Sequence, residues 1–303
     1  MTAANLRGEL RMREPMSRHT SWRAGGPADR YYRPADRDDL VEFIRRLDPQ
    51  EPILWLGLGS NLLVRDGGFR GTVIALHGVL DHIKEVSRDG NVVTLEVEAG
   101  VHCARLAKYC AEHQLDGGAF FIGIPGTVGG ALAMNAGAYG GETWQRVLSV
   151  EVLGHDGRVQ TLEPSAFEIG YRTVKAPVAT PCYLGAKLRF EYDPALEAKA
   201  EIRELLAARK AAQPVGQPSC GSVFRNPQGD HAARLIETSG LKGYRIGAAC
   251  VSDKHANFIL NTGEAKADDI ERLIQHVQQT VKEQHGVALH PEVRIVGETG
   301  VAA

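Results

Sequence analysis

The chain has 303 residues, 43% of them hydrophobic and 24% charged, with a formal net charge of -2. This is the balance of a water-soluble globular protein with room for two or three domains, and it excludes a protein held on nucleic acid by bulk positive charge. No apolar run approaches the roughly 20 residues that span a bilayer, and Met1 to Glu14 mixes Arg and Glu without an apolar signal core, so a cytoplasmic protein with no membrane contact is expected.

Asp36 predicts the N-cap of a helix reaching Leu47, with Leu40, Val41, Ile44 and Leu47 on one face. Short apolar strands are expected at 53–56 and 72–76, completing a first unit over residues 1–76. A second unit, 77–192, has strand patterns at 92–98 and 148–153 and is closed by 183–190. Between the first two, a helix over 101–113 would bury Cys103, Leu106, Ala107 and Cys110. Glycine vanishes over 191–200, which reads as a linker entering a helix that ends before Pro214. The third unit, 193–303, should hold strands at 257–261 and 293–296. Its strongest helix, 268–284, sets Ile270, Leu273, Ile274, Val277 and Val281 at helical spacing.

The five cysteines form no CxxC pair and read as free thiols. The eleven histidines include no HExxH and no cluster at zinc spacing, so no metal is expected. His102-Cys103 reads as a surface histidine beside a buried thiol at a helix start.

Two glycine-rich segments carry the first functional signal. Gly57-Leu58-Gly59-Ser60-Asn61-Leu62 follows an apolar strand and offers backbone N–H groups, a hydroxyl and an amide to phosphate. Taken alone it is equally a tight strand-ending turn. No crossover helix fits before the strand at Thr72, so the nicotinamide-type fingerprint is excluded. The second segment, Gly117 to Gly140, has eight glycines and no charge in twenty-four residues. Its Phe-Phe-Ile and Leu-Ala-Met triplets want burial, which disfavours a flexible linker and favours a cradle for a polyanionic cofactor. Gly123, Ile124, Pro125, Gly126, Thr127, Gly129 and Gly130 form its centre, and Asn135 and Gly137 extend the close-approach surface. No Gly-Lys-Ser/Thr follows, which excludes a P-loop. Two separated turns suit a dinucleotide better than a mononucleotide.

Two further groups are chemically suggestive but short. Pro218 to Pro227 contains Ser222, Arg225 and Asn226; it is no GxSxG elbow, which would need glycine at 220 and 224. By itself it reads as a polar turn, although Ser222 could donate a proton. Gly170-Tyr171-Arg172 and His290-Pro291-Glu292-Val293-Arg294 read singly as surface strand ends. An Arg and a Glu brought together at a substrate carboxylate could hold and polarise it.

The ordered set of His19 to Ala28, Gly57 to Asn61, Ile124 to Gly130, Cys220 to Pro227, Ser252 to Asn261 and Glu292 to Gly297 resembles the UDP-N-acetylenolpyruvoylglucosamine reductase family over nearly the whole chain. The short stretch from Arg172 to Ser222 resembles its shorter, second structural type. Trp22 departs from a common Phe, and Thr173-Val174 from a more polar pair. The resemblance implies an α+β fold: a two-part FAD-binding region of the vanillyl-alcohol oxidase-like (PCMH) type in the first two units, with a C-terminal substrate-binding domain. It implies FAD held by the glycine segments, NADPH as hydride donor, and UDP-N-acetylglucosamine enolpyruvate as substrate. By the same resemblance Arg172 and Glu292 activate the carboxylate, Ser222 donates the proton, and Tyr171, Arg225, Asn226 and His255 are substrate contacts. The oligomeric state stays open, a monomer being compatible with the sequence. An FAD-dependent sugar oxidase of the same fold would lack Ser222 and Glu292 in these settings. A non-catalytic UDP-sugar or flavin-binding regulator would need no proton donor.

Overall fold

The side chain of Asp36 accepts the N–H of Asp39 at 3.0 Å, and the helix Arg37–Arg46 begins there. Leu40, Phe43 and Ile44 on its inner face pack with Ile53, Ile74 and Leu76. The strand Ile53–Leu56 lies parallel to the strand Phe69–Ala75, with Ile53 opposite Thr72 and Leu56 opposite Ala75.

The structure, a computed structural model, describes residues 6–300. It has two compact units, each drawing on segments distant in sequence: Met1–Arg11, Tyr31–Gly57 and Thr72–Ala208 in the first, Met12–Arg30, Leu58–Gly71 and Arg209–Ala303 in the second.

The first unit is built on an antiparallel sheet whose strands run, in spatial order, Val159–Leu162, Val147–Leu153, Cys182–Tyr192, Val92–Glu98 and Ile83–Asp89. Alternation puts Val93, Leu95 and Val97 on one face. They join a core with Leu106, Ala107 and Cys110 of the helix Cys103–Glu112 and Val128 and Leu132 of the helix Val128–Met134. Truncating Leu106 to Ala would cost roughly 2–5 kcal/mol, because this packing cannot close the space left behind. Burial pushes the Cys103 and Cys110 thiols up to about 12, which makes them inert packing groups. His102 is exposed beside the buried Cys103, as the sequence suggests.

The second unit is organised by the helix Ala267–His285, which buries Ile270, Leu273, Ile274, Val277 and Val281, all five residues of the expected stripe. Its start is capped from far away in sequence: the Asp66 carboxylate accepts the N–H groups of Ala267 and Asp268 at 3.0 and 2.9 Å. Gly286, at φ 68°, ends it. A small sheet of Arg245–Ile246, Ala249–Val251 and Ile259–Asn261 packs on the same core. Trp22 is wholly buried there and its indole N–H donates to the Ile259 carbonyl at 2.7 Å.

Two features depart from the sequence expectation. Leu62–Val64 is a strand parallel to Arg294–Val296, so the first glycine turn is shorter than its residue types suggest. The second glycine segment contains a 3-10 turn, Ala119–Gly123, and the helix Val128–Met134. Glycines at 129 and 130 lower intrinsic helix propensity, and pairing outside the helix overrides it, as the site shows. No helix among the described residues is long and apolar enough to cross a membrane.

Candidate functional site

Gly57 and Thr127, seventy residues apart in sequence, are brought together at the end of the strand Ile53–Leu56. A Cβ on residue 57 would lie 2.6 Å from Thr127 Oγ1. That hydroxyl also accepts the Gly130 N–H at 3.4 Å and caps the helix Val128–Met134. The turn around it is pinned by backbone bonds: Val128 N–H to Val101 C=O at 2.8 Å, Gly129 N–H to Ala99 C=O at 2.8 Å, and Cys103 N–H to Gly126 C=O at 2.9 Å. The Gly126 N–H is spent on the Ile124 carbonyl at 2.9 Å. Several amides of this segment are thus committed to the protein. Gly129 is required for packing too, since a Cβ there would meet the Ala99 Cβ at 2.9 Å. Gly123 sits under Ala138 and the Tyr139 ring, each 2.6 Å from the position of a Cβ. Ile124 is buried, whereas Pro125 and Gly130 are exposed.

The first glycine turn continues into the second unit. Gly59 has φ 61°, and a Cβ there would come within 2.0 Å of the His19 carbonyl, so only glycine fits. Its carbonyl accepts the Ser21 N–H at 3.0 Å. Among the described residues, no hydrogen bond takes the N–H groups of Leu58, Gly59 and Ser60. Asn61 and Leu62 also serve the fold of the second unit. The Asn61 carboxamide donates to the Glu292 carbonyl at 3.1 Å, and Leu62 is buried in the strand beside Arg294–Val296.

Ser222 and Glu292 lie on adjoining segments of the second unit. The Glu292 N–H donates to the Val223 carbonyl at 2.7 Å, and the Arg225 N–H to the His290 carbonyl at 3.0 Å. Asn257 anchors the same stretch from its other side. Its Nδ2 donates to Phe224 C=O at 2.8 Å and its Oδ1 accepts Phe224 N–H at 2.9 Å, while its own carbonyl accepts Val223 N–H at 2.8 Å. The sequence marks Asn257 only as the start of a strand, because its partners at Phe224 and Val223 lie more than thirty residues away in the chain. Cys220 has its thiol pushed well up, first by burial and then by the Glu292 carboxylate.

The expected substrate contacts divide. The Arg225 Nε and the His255 Nδ1 are buried with no hydrogen-bond partner among the described residues. Burial holds the His255 imidazole below its ordinary value, hence neutral at pH 7. Asn226 already uses its Oδ1, accepting the Ala232 N–H at the start of the helix Ala232–Thr238 at 3.1 Å.

Arg172 and Tyr171 lie in the first unit, in the tight connection between the strands Glu168–Gly170 and Thr173–Lys175. Arg172 has φ 53°, and its guanidinium donates to the carbonyls of Gly137 at 2.8 Å and Asn135 at 3.4 Å. It also lies 5.4 Å from the centre of the Tyr171 ring. Tyr171 is half exposed. The glycine segment expected to face a cofactor therefore also provides the seat of Arg172. Among the described residues no group of three or more His, Cys, Asp or Glu is placed to hold a metal ion.

Residues 28–163 match a family model described as an FAD binding domain, and residues 213–296 match the model of the UDP-N-acetylenolpyruvoylglucosamine reductase C-terminal domain. A UDP-N-acetylenolpyruvoylglucosamine reductase of Alkalilimnicola ehrlichii is 56% identical over 301 residues, covering 98% of this chain and 99% of the relative. One from Nitrosococcus oceani is 55% identical over 298 residues, covering 98% of each. The solved structure of the reductase from Thermus caldophilus is 33% identical with a TM-score of 0.80, covering 96% of this chain and 99% of that one.

Proposed function

The chain belongs to the UDP-N-acetylenolpyruvoylglucosamine reductase family, an FAD-binding α+β protein of peptidoglycan synthesis, and on that premise we propose that it reduces UDP-N-acetylglucosamine enolpyruvate to UDP-N-acetylmuramate with NADPH, in the cytoplasm. FAD, when bound, would supply the redox chemistry, with NADPH as the hydride source and flavin N5 as the donor to the vinyl C3 of the substrate. Residues 1–76 and 77–192 are assigned to the cofactor and 193–303 to the substrate. Gly57, Gly59, Ser60, Gly126 and Thr127 are the residues that would hold the pyrophosphate. The positive φ of Gly59 and the missing Cβ at Gly57 fit a group that must approach the backbone closely.

Each remaining residue has a task set by where charge develops. Hydride addition at C3 leaves negative charge at C2 that spreads into the carboxylate. Arg172 and Glu292 stabilise that enolate-like species. Ser222 then gives its proton to C2; a hydroxyl is a weak acid, but the acceptor is a strong base, so the transfer runs downhill. Arg225 and His255 keep open polar atoms for substrate, and Tyr171 and Asn226 flank it.

The observation that best supports this reading is the bond from Glu292 N–H to Val223 C=O, 2.7 Å, which sets the segments of Ser222 and Glu292 side by side. The direct test is spectroscopic. Purified protein should be yellow, bleach anaerobically on NADPH, and regain colour on adding the enolpyruvyl substrate. Protein that neither carries nor takes up FAD, or that bleaches but is not reoxidised by substrate, would sink the proposal.

A further inference from the structure

Asn135 stands where the helix Val128–Met134 ends, in the left-handed region at φ 46° and ψ 53°. Its side chain is buried and its polar groups are engaged within the protein. Oδ1 accepts the Trp144 N–H at 3.1 Å, and Nδ2 donates to Glu142 Oε2 at 2.9 Å and to the Gly170 carbonyl at 3.2 Å. The main-chain carbonyl of the same residue accepts from Arg172 Nη1 at 3.4 Å, and that of Gly137 accepts from Nη2 at 2.8 Å. One residue thus grips the Arg172 connection at two points, the backbone at Gly170 and the guanidinium at its tip.

Arg172 needs such a grip. At φ 53° it occupies the left-handed region, which is unfavourable for a residue with a Cβ, so local preference does not hold it there. The carbonyl of Gly137 is set by the short antiparallel pairing of Gly137–Ala138 with Gly141–Glu142, where Gly137 lies opposite Glu142. A carboxamide that served a cofactor would keep a donor for it, whereas Asn135 Nδ2 has two protein acceptors already.

We propose that Asn135 is a positioning residue for Arg172 and not a contact of FAD. It fixes the plane of the guanidinium against two carbonyls and locks the connection that carries it. The proposal rests on the reading of Arg172 as the carboxylate-activating group.

Asn135→Asp keeps the volume and the tolerance for left-handed backbone, but turns both donors into an acceptor facing Glu142 and the Gly170 carbonyl. In the holoenzyme, the FAD dissociation constant from flavin fluorescence and the rate of reduction by NADPH should stay within roughly threefold of wild type, while reoxidation by the enolpyruvyl substrate slows roughly 10- to 100-fold, in its maximal rate and not in its half-saturating concentration. Asn135→Gly, which keeps the backbone conformation and drops the side chain, should give the same split and serves if the first variant does not fold. Arg172→Ala separates the two layers: it should slow reoxidation on its own, and adding Asn135→Asp should slow it little further. Normal reoxidation in Arg172→Ala overturns the reading of Arg172 and the proposal with it. Slow reoxidation there, with either Asn135 variant reoxidising at the wild-type rate or losing FAD in proportion, overturns the positioning role alone.

Discussion

The Asn61 carboxamide donates to the Glu292 carbonyl at 3.1 Å, and the N–H of Arg294, two residues further on, donates to the Asn61 carbonyl at 3.1 Å. A residue expected to touch the cofactor therefore also sets the height of the segment that carries Glu292, the carboxylate proposed to act on the substrate. Asn61→Ala removes the side-chain half of this link. It should lower thermal stability by about 1–2 kcal/mol, the cost of one partly buried hydrogen bond lost. Reoxidation by substrate should suffer along with FAD affinity. Thermal melts and both half-reactions check this; a loss confined to FAD affinity would show that Glu292 does not depend on Asn61.

Ser222→Ala removes one hydroxyl from a stretch whose fold rests on backbone bonds to Asn257 and Glu292. The fold should survive. Reduction of the flavin by NADPH should be unchanged, and reoxidation by substrate should slow on the order of 100-fold or more, the range for removing a positioned acid. Anaerobic stopped-flow absorbance resolves the two steps. Equal slowing of both would make Ser222 a structural residue.

His255 gives stability a dependence on pH. Burial keeps its folded imidazole below the ordinary 6.5. Above that value the side chain is neutral in both states and contributes no slope. As pH falls through about 6.5, the unfolded chain takes up a proton that folded His255 resists, so stability falls until the folded value is reached. Lys242 works in the same direction as burial and Glu237 against it. Urea melts from roughly pH 7 down to 5 should show a shallower decline for His255→Gln than for wild type. Parallel curves would mean that the folded imidazole titrates normally.

Periodicity carried the long elements. The stripe from Ile270 to Val281 and the buried face of Cys103–Glu112 are visible because they repeat over several turns and pack one face against a core. The strand Leu62–Val64 and the helix Val128–Met134 are too short to repeat, and each exists because distant carbonyls or a distant strand complete it. The site divides in the same way. Glycine density singled out the two turns proposed for the cofactor, since few other roles demand it. Ser222, Arg172 and Glu292 gained their roles only from the family resemblance, because a lone Ser, Arg or Glu has no spacing to read. Asn257 and the seating of Arg172 on Asn135 and Gly137 depend on contacts across 33 and 37 residues of chain, which no local pattern records.

The pairing of Gly57 with Thr127 gives a test that needs no substrate. In Gly57→Ala the new Cβ falls 2.6 Å from Thr127 Oγ1, too close for either to stay in place. Thr127 cannot swing away without releasing the Gly130 N–H and loosening the start of the helix Val128–Met134. The clash should therefore reach both glycine turns, weakening FAD binding roughly tenfold, about 1.4 kcal/mol. Thr127→Ala alone gives up the cap, a loss of roughly 1 kcal/mol in stability, but it removes the atom that the new methyl strikes. Gly57→Ala combined with Thr127→Ala should then bind FAD more tightly than Gly57→Ala alone, a coupling opposite in sign to simple addition of two defects. Flavin fluorescence titration of the four proteins measures it. Strictly additive losses would mean that the two residues act on the cofactor separately, and that their close approach is only packing.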